Sequence, residues 1–298
     1  MSVAESLVFL SSSVVCSVSV GALLKAGRPR GLDVRQAIFM NYITASALCY
    51  FLLRPNLEKL TTPGQPIGIF LALGVLLPAI FIALARSVQS AGIVRTDAAQ
   101  RLSLIIPLLA AFLLFGEQPT ARKLAGMALA FAALICLLWK PRPASHGTAT
   151  DNGGWLWPMV VLFGYGVIDV LFKQMAKAGA AFSGGLLAAF VIAGSLMLLY
   201  LLVMRTRWGA GHLLTGILLG GLNFANIYTY IRAHQELPGS PALIFSVMNM
   251  GVIVLGTLVG ALAFKEKIST INAAGIVLAV CAIACLFYWP QLARLVGL

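Results

Sequence analysis

Two pairs of opposite charges stand out in an otherwise apolar sequence. Asp97 and Arg101 are four residues apart, and so are Asp169 and Lys173. On a helix, residues four apart lie on one face and can form an ion pair. Such a pair can hold its helix against a neighbouring helix, or it can bind a polar ligand.

The residues after Arg101 place the first pair at membrane depth. Leu102 to Phe115 is a run of 14 almost wholly apolar residues, which is about 21 Å of helix. A bilayer core is about 30 Å thick, so the span is long enough only if Arg101 and Asp97 enter it as well. Ionisable residues at this depth face the protein interior or water and are functional candidates. Three interpretations stay open: a structural ion pair, a substrate contact, or a shallow position reached by water.

The composition indicates a polytopic helical membrane protein. The chain has 298 residues, 60% hydrophobic and 10% charged, whereas soluble domains carry about 25% charged residues. Apolar runs of about 18 to 25 residues alternate with short polar stretches. Its net charge of +12 comes from residues at span ends and in short loops, where basic residues set orientation and meet lipid head groups. We therefore expect a bilayer and a small molecule as partners, and no nucleic acid.

The hydropathy pattern predicts ten transmembrane spans, and the polar stretch at mid-chain predicts a linker at 141–154. Each side of this linker, 1–140 and 155–298, is predicted to hold five spans. The predicted spans are 4–25, 34–53, 67–86, 91–115, 121–139, 155–176, 183–204, 212–233, 241–264 and 270–289.

The two halves repeat in sequence. A shift of 149 residues lays 107–141 over 256–290 with 12 of 35 positions identical and no gap. The match includes Glu117 and Glu266, which precede the N-cap candidates Thr120 and Ser269. Because five is odd, the second copy must enter the membrane inverted relative to the first. Inverted repeats are typical of secondary transporters, whose binding site lies near the midplane between the copies.

This organisation resembles the drug/metabolite transporter (DMT) superfamily, in its ten-span EamA-like branch. The resemblance rests on 107-PLLAAFLLFGEQPTARKLAGMALAFAALICL-137 and 247-VMNMGVIVLGTLVGALAFKEKISTINAAGIVLAV-280. It implies a carrier for small organic solutes in the cell inner membrane. It does not transfer a substrate.

Other polar groups inside the spans are candidates for the wall of a cavity, because amides and phenols donate and accept hydrogen bonds. Helix packing through small and polar residues is the alternative for each of them. On span 8, Gly216 and Gly220 share a stripe with such groups, and on span 9, Gly256 and Gly260 form a close-packing motif. The predicted substrate-binding residues are Asn41, Tyr42, Asp97, Gln100, Arg101, Asp169, Lys173, Asn223, Asn226, Tyr230 and Asn249.

Asp97 and Asp169 are also the candidates for proton coupling. Each has a cation four residues away, which works against protonation near neutral pH. The phosphate-binding GxxxxGK[ST] sequence, HExxH and GxSxG are all absent. The three histidines fall in loops or at span ends. We therefore expect no enzyme activity, no cofactor and no metal site.

The sequence thus predicts a ten-helix secondary transporter for a small polar or zwitterionic, amino-acid-like metabolite. A monomer is favoured over a homodimer. The alternatives are a passive, channel-like facilitator and an exporter of organic cations. Thirteen basic residues flank one side of the predicted topology and eight the other, which favours both termini outside, whereas the resemblance implies termini in the cytoplasm.

Overall fold

A computed structural model describes residues 3–27, 31–56, 58, 64–138, 155–178, 182–265 and 269–296. The predicted linker lies outside these residues, as does Glu266, and so does the side chain of Asp97. The described residues form ten α-helices and no strand. The helices are α1 (Val3–Gly27), α2 (Val34–Leu53), α3 (Ile67–Leu102), α4 (Ile105–Leu113), α5 (Ala121–Leu138), α6 (Leu156–Lys177), α7 (Phe182–Val203), α8 (Ala210–Glu236), α9 (Pro241–Phe264) and α10 (Thr270–Val296).

Eight of the predicted spans correspond to single helices, and those at 34–53 and 241–264 have the predicted bounds. The third and fourth spans differ, because α3 continues through the third span and into the fourth, where it ends at Leu102. The rest of the fourth span contains α4. The hydroxyls of Ser87 and Thr96 on α3 lie 2.7 Å apart. Nine residues of straight helix would separate them by about 13.5 Å. α3 is therefore not straight between these two residues, and its apolar residues fall in two stretches, Ile67–Val88 and the part of Ala98–Leu113 that belongs to it.

Seven helices are long and apolar enough to cross a membrane, judged by length and composition of the described residues. Shorter apolar stretches cover Ala98–Leu113, Lys123–Cys136 and Thr270–Cys285. Large apolar side chains are exposed along the helices, with Leu113 at 79% and Leu262 at 84%. A surface of this kind is stable in lipid, where the tails are as apolar as leucine. The fold is that of a helical membrane protein.

The chain divides into two compact units that each draw on both halves of the sequence. The first unit is Met1–Ala85 with Val167–Pro238, and the second is Arg86–Gly166 with Gly239–Leu298. In the first unit, α8 packs against α1 and α2, and α2 also packs against α7. In the second unit, α10 packs against α5 and α9, and α9 packs against α4 and α5.

Glycines of α8 form the closest part of its packing against α2. A Cβ atom added at Gly216 would lie 2.6 Å from the carbonyl oxygen of Ala37, and one added at Gly220 would lie 2.7 Å from that of Asn41. These positions are therefore helix-packing sites, the structural one of the two predicted alternatives. Gly256 on α9 differs, because a Cβ there would meet no described atom within 4 Å. The prediction of close helix packing at Gly256 is therefore wrong as far as the described residues are concerned.

Polar groups hold the N-terminal ends of α2 and α8 together. The amide of Gln36, which is 1% exposed, donates to the carbonyl of Arg207 at 2.9 Å and accepts from the N–H of Gly209 at 2.9 Å. Asp33 caps α2 by accepting from the backbone N–H of Arg35. Burial alone would raise the pKa of Asp33, but hydrogen bonds from Arg35 and Gln36 outweigh it and lower that pKa below the usual 3.8.

The packing of α8 on α2 gives a direct test. Gly216→Ala and Gly220→Ala each place a methyl group against a backbone carbonyl, and overpacking of this kind costs about 1–3 kcal/mol. We expect both variants to lower the Tm of the purified protein in detergent. Gly221→Ala is the matched control, because a Cβ there meets nothing within 4 Å. Any helix-propensity gain is common to all three variants, so equal Tm values would contradict this packing.

Candidate functional site

A polar cluster joins α6 and α8 within the first unit. The Tyr230 hydroxyl donates to Oδ1 of Asp169 at 3.3 Å. The Tyr230 ring meets Phe172 edge-on at 6.3 Å and His234 at 4.9 Å between centroids. Tyr230, Phe172 and His234 are all buried, whereas Asp169 is half-buried. In this arrangement the Asp169 carboxylate is held by the Tyr230 hydroxyl within a largely buried group.

Lys173 is directed to the end of α8. It is 1% exposed, and its Nζ donates to the carbonyl of Pro238 at 3.0 Å and to that of His234 at 3.5 Å. The last carbonyls of a helix lack partners within the helix and carry partial negative charge. Lys173 therefore stabilises the C-terminal end of α8. Lys173 was predicted to contact the substrate beside Asp169. Stabilising the end of α8 is a structural alternative to that role.

Further along α8, Asn226 extends the same face one turn towards the N-terminus. Its Oδ1 accepts a hydrogen bond from Ser13 of α1 at 2.7 Å. Ser13 is fully buried, and Asn223 and Asn226 are half-buried. Asn226, Tyr230 and His234 follow a spacing of four residues, so they share one face of α8. Ser13 and His234 are not among the predicted substrate-binding residues, although His234 lies four residues after Tyr230 in the sequence.

Two predicted residues of α2 belong to the packed interior of the first unit. Tyr42 is fully buried and its ring lies 6.5 Å from that of Phe190. Asn41 is 4% exposed. Its backbone carbonyl oxygen lies close to Gly220 of α8, where a Cβ atom would be 2.7 Å from it. Their surroundings match helix packing, the other interpretation that the sequence left open.

Gln100 and Arg101 lie where α3 ends. Both are half-buried, and Arg101 is the basic residue of the last helical turn, where a cation is favourable. Ser103 donates from its hydroxyl to the carbonyl of Gln100 at 2.6 Å, and a new helix, α4, starts at Ile105. The predicted fourth span is therefore interrupted by a short turn after Leu102, where α3 ends. On α9, the half-buried Asn249 donates to the carbonyl of Phe245 at 3.0 Å.

Glu117 is a structural residue, as its place in a turn predicts. It is 5% exposed, Oε2 accepts from the N–H of Ala242 at 2.8 Å, and Oε1 lies 2.8 Å from Nζ of Lys123. Ala242 is the second residue of α9, so the carboxylate caps that helix. The predicted N-cap at Thr120 is confirmed by its bond from the N–H of Lys123. The partner helix of Glu117 could not be identified from the sequence.

A basic cavity opens at the ends of α6 and α8 in the first unit. Its volume is about 440 Å³. Among the described residues, no group of three or more His, Cys, Asp and Glu is placed to hold a metal. The residues lining this basic cavity are Lys173, Ala176, Lys177, Phe182, Arg232, His234, Gln235 and Pro238.

Comparisons with known proteins agree with this fold. Residues 5–139 match the model of the EamA-like transporter family. An uncharacterised protein of Haemophilus influenzae is 48% identical over 285 residues, covering 94% of this chain and 97% of that protein. The chain belongs to the EamA-like transporter family. This assignment is consistent with the DMT superfamily and identifies a multi-pass membrane protein of a transporter family.

A solved structure, described as a crystal structure of a protein, covers 99% of this chain and 99% of its own with a TM-score of 0.74. The two sequences are 17% identical, so the likeness concerns the fold alone. For an EamA-like transporter, the half-buried polar groups of α3, α6, α8 and α9 are the candidate ligand contacts.

The cap of α9 can be tested by changing Glu117. Glu117→Ala removes both bonds of the carboxylate, and loss of a buried partner costs about 1–3 kcal/mol. Glu117→Gln retains an acceptor for Ala242 but loses the charge that pairs with Lys123, so we expect an intermediate fall in Tm. The exposed Glu5 supplies the control, Glu5→Gln. An unchanged Tm for Glu117→Ala would rule out the cap.

Proposed function

We propose that this EamA-like protein is a secondary transporter of a small polar or zwitterionic, amino-acid-like metabolite in the cell inner membrane. Transport would occur by alternating access in a chain of ten spans, arranged as two inverted five-helix repeats at 1–140 and 155–298. It would act as a monomer, since one chain holds both copies. It would need no cofactor and perform no chemistry on its substrate.

The pairing of helices supports the repeat. A shift of 149 residues carries α2 onto 183–202 within α7, α4 onto 254–262 within α9, and α5 onto 270–287 within α10. Each of these three helices packs against its own counterpart. Helices that meet their repeat mates are expected close to a pseudo-two-fold axis, the symmetry of inverted repeats in transporters.

Matching details along the repeat give further support. Thr120 caps α5, and its counterpart Ser269 caps α10 by accepting from the N–H of Asn272 at 3.2 Å. The strongly exposed Leu113 and Leu262 are also equivalent positions. The family match at 5–139 falls inside the proposed first repeat.

The observation that carries the substrate site is the helix break at Arg101. Transporter sites are commonly built at interrupted helices, whose ends present charge and free backbone groups. Gln100 has Asn249 as its repeat equivalent, and both amides are half-buried. Arg101 has Met250 at the equivalent position, and α9 continues through it unbroken. The proposed site thus combines a symmetric pair of amides with a single cation at the break.

The substrate class follows from the charges. Arg101 supplies a cation, and Asp97 and Asp169 supply anions, whereas the ammonium group of Lys173 is engaged by carbonyls at the end of α8. A zwitterion needs both signs, because its carboxylate pairs with a guanidinium or ammonium and its amine with a carboxylate. The half-buried Asp169, held by Tyr230, is suited to bind an amine. Asp97 and Asp169 are also the proposed positions for proton coupling.

Substrate binding can be tested with purified protein. We expect amino acids to raise its Tm in a screen that also includes nucleobases and organic cations, and to show saturable uptake in proteoliposomes. Arg101→Gln and Asp169→Asn should each raise KM at least tenfold, equivalent to about 1.4 kcal/mol. Arg207→Gln changes the same charge at an exposed residue between α7 and α8 and should leave KM unaltered.

Several outcomes would contradict this assignment. Flux that rises linearly with solute concentration would indicate a passive facilitator, and a Tm response to organic cations alone would indicate an exporter of those compounds. Uptake by the wild type and by Asp169→Asn, with and without a pH gradient, decides whether Asp169 carries a proton.

The ten-span arrangement predicts that both termini lie on one side of the membrane. Reporters that fluoresce only in the cytoplasm, fused in turn to the N-terminus and to Leu298, should give the same signal. The excess of basic residues on one side favours termini outside. Opposite signals from the two fusions would indicate an odd number of spans and exclude two inverted five-helix repeats.

A further inference from the structure

Asn223 lies at the centre of a helix that is long enough to cross a membrane. It is the middle residue of the 27 that form α8, so about 20 Å of helix extends on either side of it. The sequence between His212 and Arg232 contains no charged residue. The surrounding hydrocarbon offers no hydrogen bonds, so an amide at this depth must find its partners elsewhere.

Asn223 and Asn226 lie on the side of α8 that is turned away from lipid. Leu214 and Ile217, which are 69% and 44% exposed, precede them by nine residues each. Nine residues are about 2.5 turns of helix, so these apolar side chains lie on the opposite side. Both asparagines are nevertheless half-buried. There is therefore open space beside them on the side where Ser13 of α1 bonds Asn226.

The two amides keep hydrogen-bonding groups that the rest of the protein does not use. Asn226 accepts at Oδ1 from Ser13 at 2.7 Å, which leaves its NH2 group as a donor. The side chain of Asn223 makes no hydrogen bond with any residue that the structure describes. Polar groups inside membrane spans face the bundle interior or a water-filled cavity. Asn223 therefore has both a donor and an acceptor for a bound molecule.

We propose that Asn223 and Asn226 form a neutral amide subsite of the transport site, which binds an uncharged group of the substrate, either a carboxamide or a hydroxyl. Residues three apart lie on one face of a helix, so the two NH2 donors and the Asn223 carbonyl lie close together. A carboxamide or a hydroxyl both donates and accepts hydrogen bonds, whereas an alkyl group does neither. The inference rests on the proposed carrier function and narrows its substrate to metabolites with an uncharged polar side chain.

The amide subsite lies within reach of Asp169. Tyr230, which donates to the Asp169 carboxylate, is four residues after Asn226 and so about 6 Å further along α8. A side chain of a few carbons spans this distance. The amine of the substrate would pair with the carboxylate while its side chain meets the amides. A site built to hydrogen-bond its substrate rejects an analogue that lacks the bonding group, because the polar groups of the site are then left unpaired.

Glutamine and norleucine, which are similar in length, give the test. Their apparent affinities for the purified protein are measured from Tm shifts, and we expect glutamine to bind at least tenfold more tightly. Asn223→Leu removes the amide at nearly constant volume, so it should weaken glutamine binding at least tenfold and leave norleucine binding unchanged. Asn223→Ala adds no bulk and should give the same loss. A purely structural amide would instead lower the Tm of the ligand-free protein without changing this selectivity.

Thr229→Val is the control, because it removes a polar group from the same helix. The Thr229 hydroxyl bonds carbonyls of its own helix, those of Ala225 at 2.7 Å and Asn226 at 3.1 Å, so its loss should not alter selectivity. Equal affinities of the wild type for glutamine and norleucine, or equal losses in Asn223→Leu and Thr229→Val, would overturn the subsite and leave an amino-acid carrier in place.

Uncharged primary amides separate the subsite from the carrier assignment. If nicotinamide raises the Tm of the wild type but not of Asn223→Leu, and no amino acid has an effect, the subsite is supported and the amino-acid assignment is overturned. A wild type that responds to none of these compounds would overturn both.

Discussion

Hydrocarbon offers no hydrogen bonds, and this constraint governs where every polar group of the chain can lie. A donor or acceptor on a spanning helix must find its partner inside the protein. Ser13 reaches Asn226 on another helix, Tyr230 reaches Asp169, and Lys173 reaches the last carbonyls of α8. Large apolar side chains fill the core and also cover much of the surface. Hydrogen bonds between helices therefore help to determine which faces of the helices pack together.

Such contacts require the helices to approach closely, which explains the position of the glycines. At Gly216 and Gly220, a missing side chain lets the backbone of α8 lie against that of α2. The same helix carries its polar face from Asn226 to His234, two turns further along. The close-packing glycines of α8 thus come first along the helix, and its polar residues follow them. The first end of α8 meets the backbone of α2, and at the other end Tyr230 and His234 are buried.

The sequence predicts the helices well because hydropathy and capping are local. The bounds of α2 and α9 follow from the hydropathy pattern, and Thr120 identifies the start of α5. Contacts between residues that are distant in the sequence cannot be predicted from such local signals. Nothing local indicates that Glu117 caps α9, a helix that begins 124 residues later, or that Gly256 faces open space while Gly216 meets a backbone. For the same reason, the spacing of Asp169 and Lys173 gives no sign that Lys173 reaches the carbonyls at the end of α8.

Asp169 and Lys173 are four residues apart on α6 but bind different partners. Residues four apart share a face, yet a lysine side chain is long enough to pass its neighbour and reach the next helix. The end of α8 offers unpaired carbonyls with partial negative charge, which compete with a carboxylate for the ammonium group. Asp169 receives a phenol instead. One charged pair in the sequence thus supplies two different features in the fold: an acidic position beside Tyr230, and a cation at the mouth of the basic cavity.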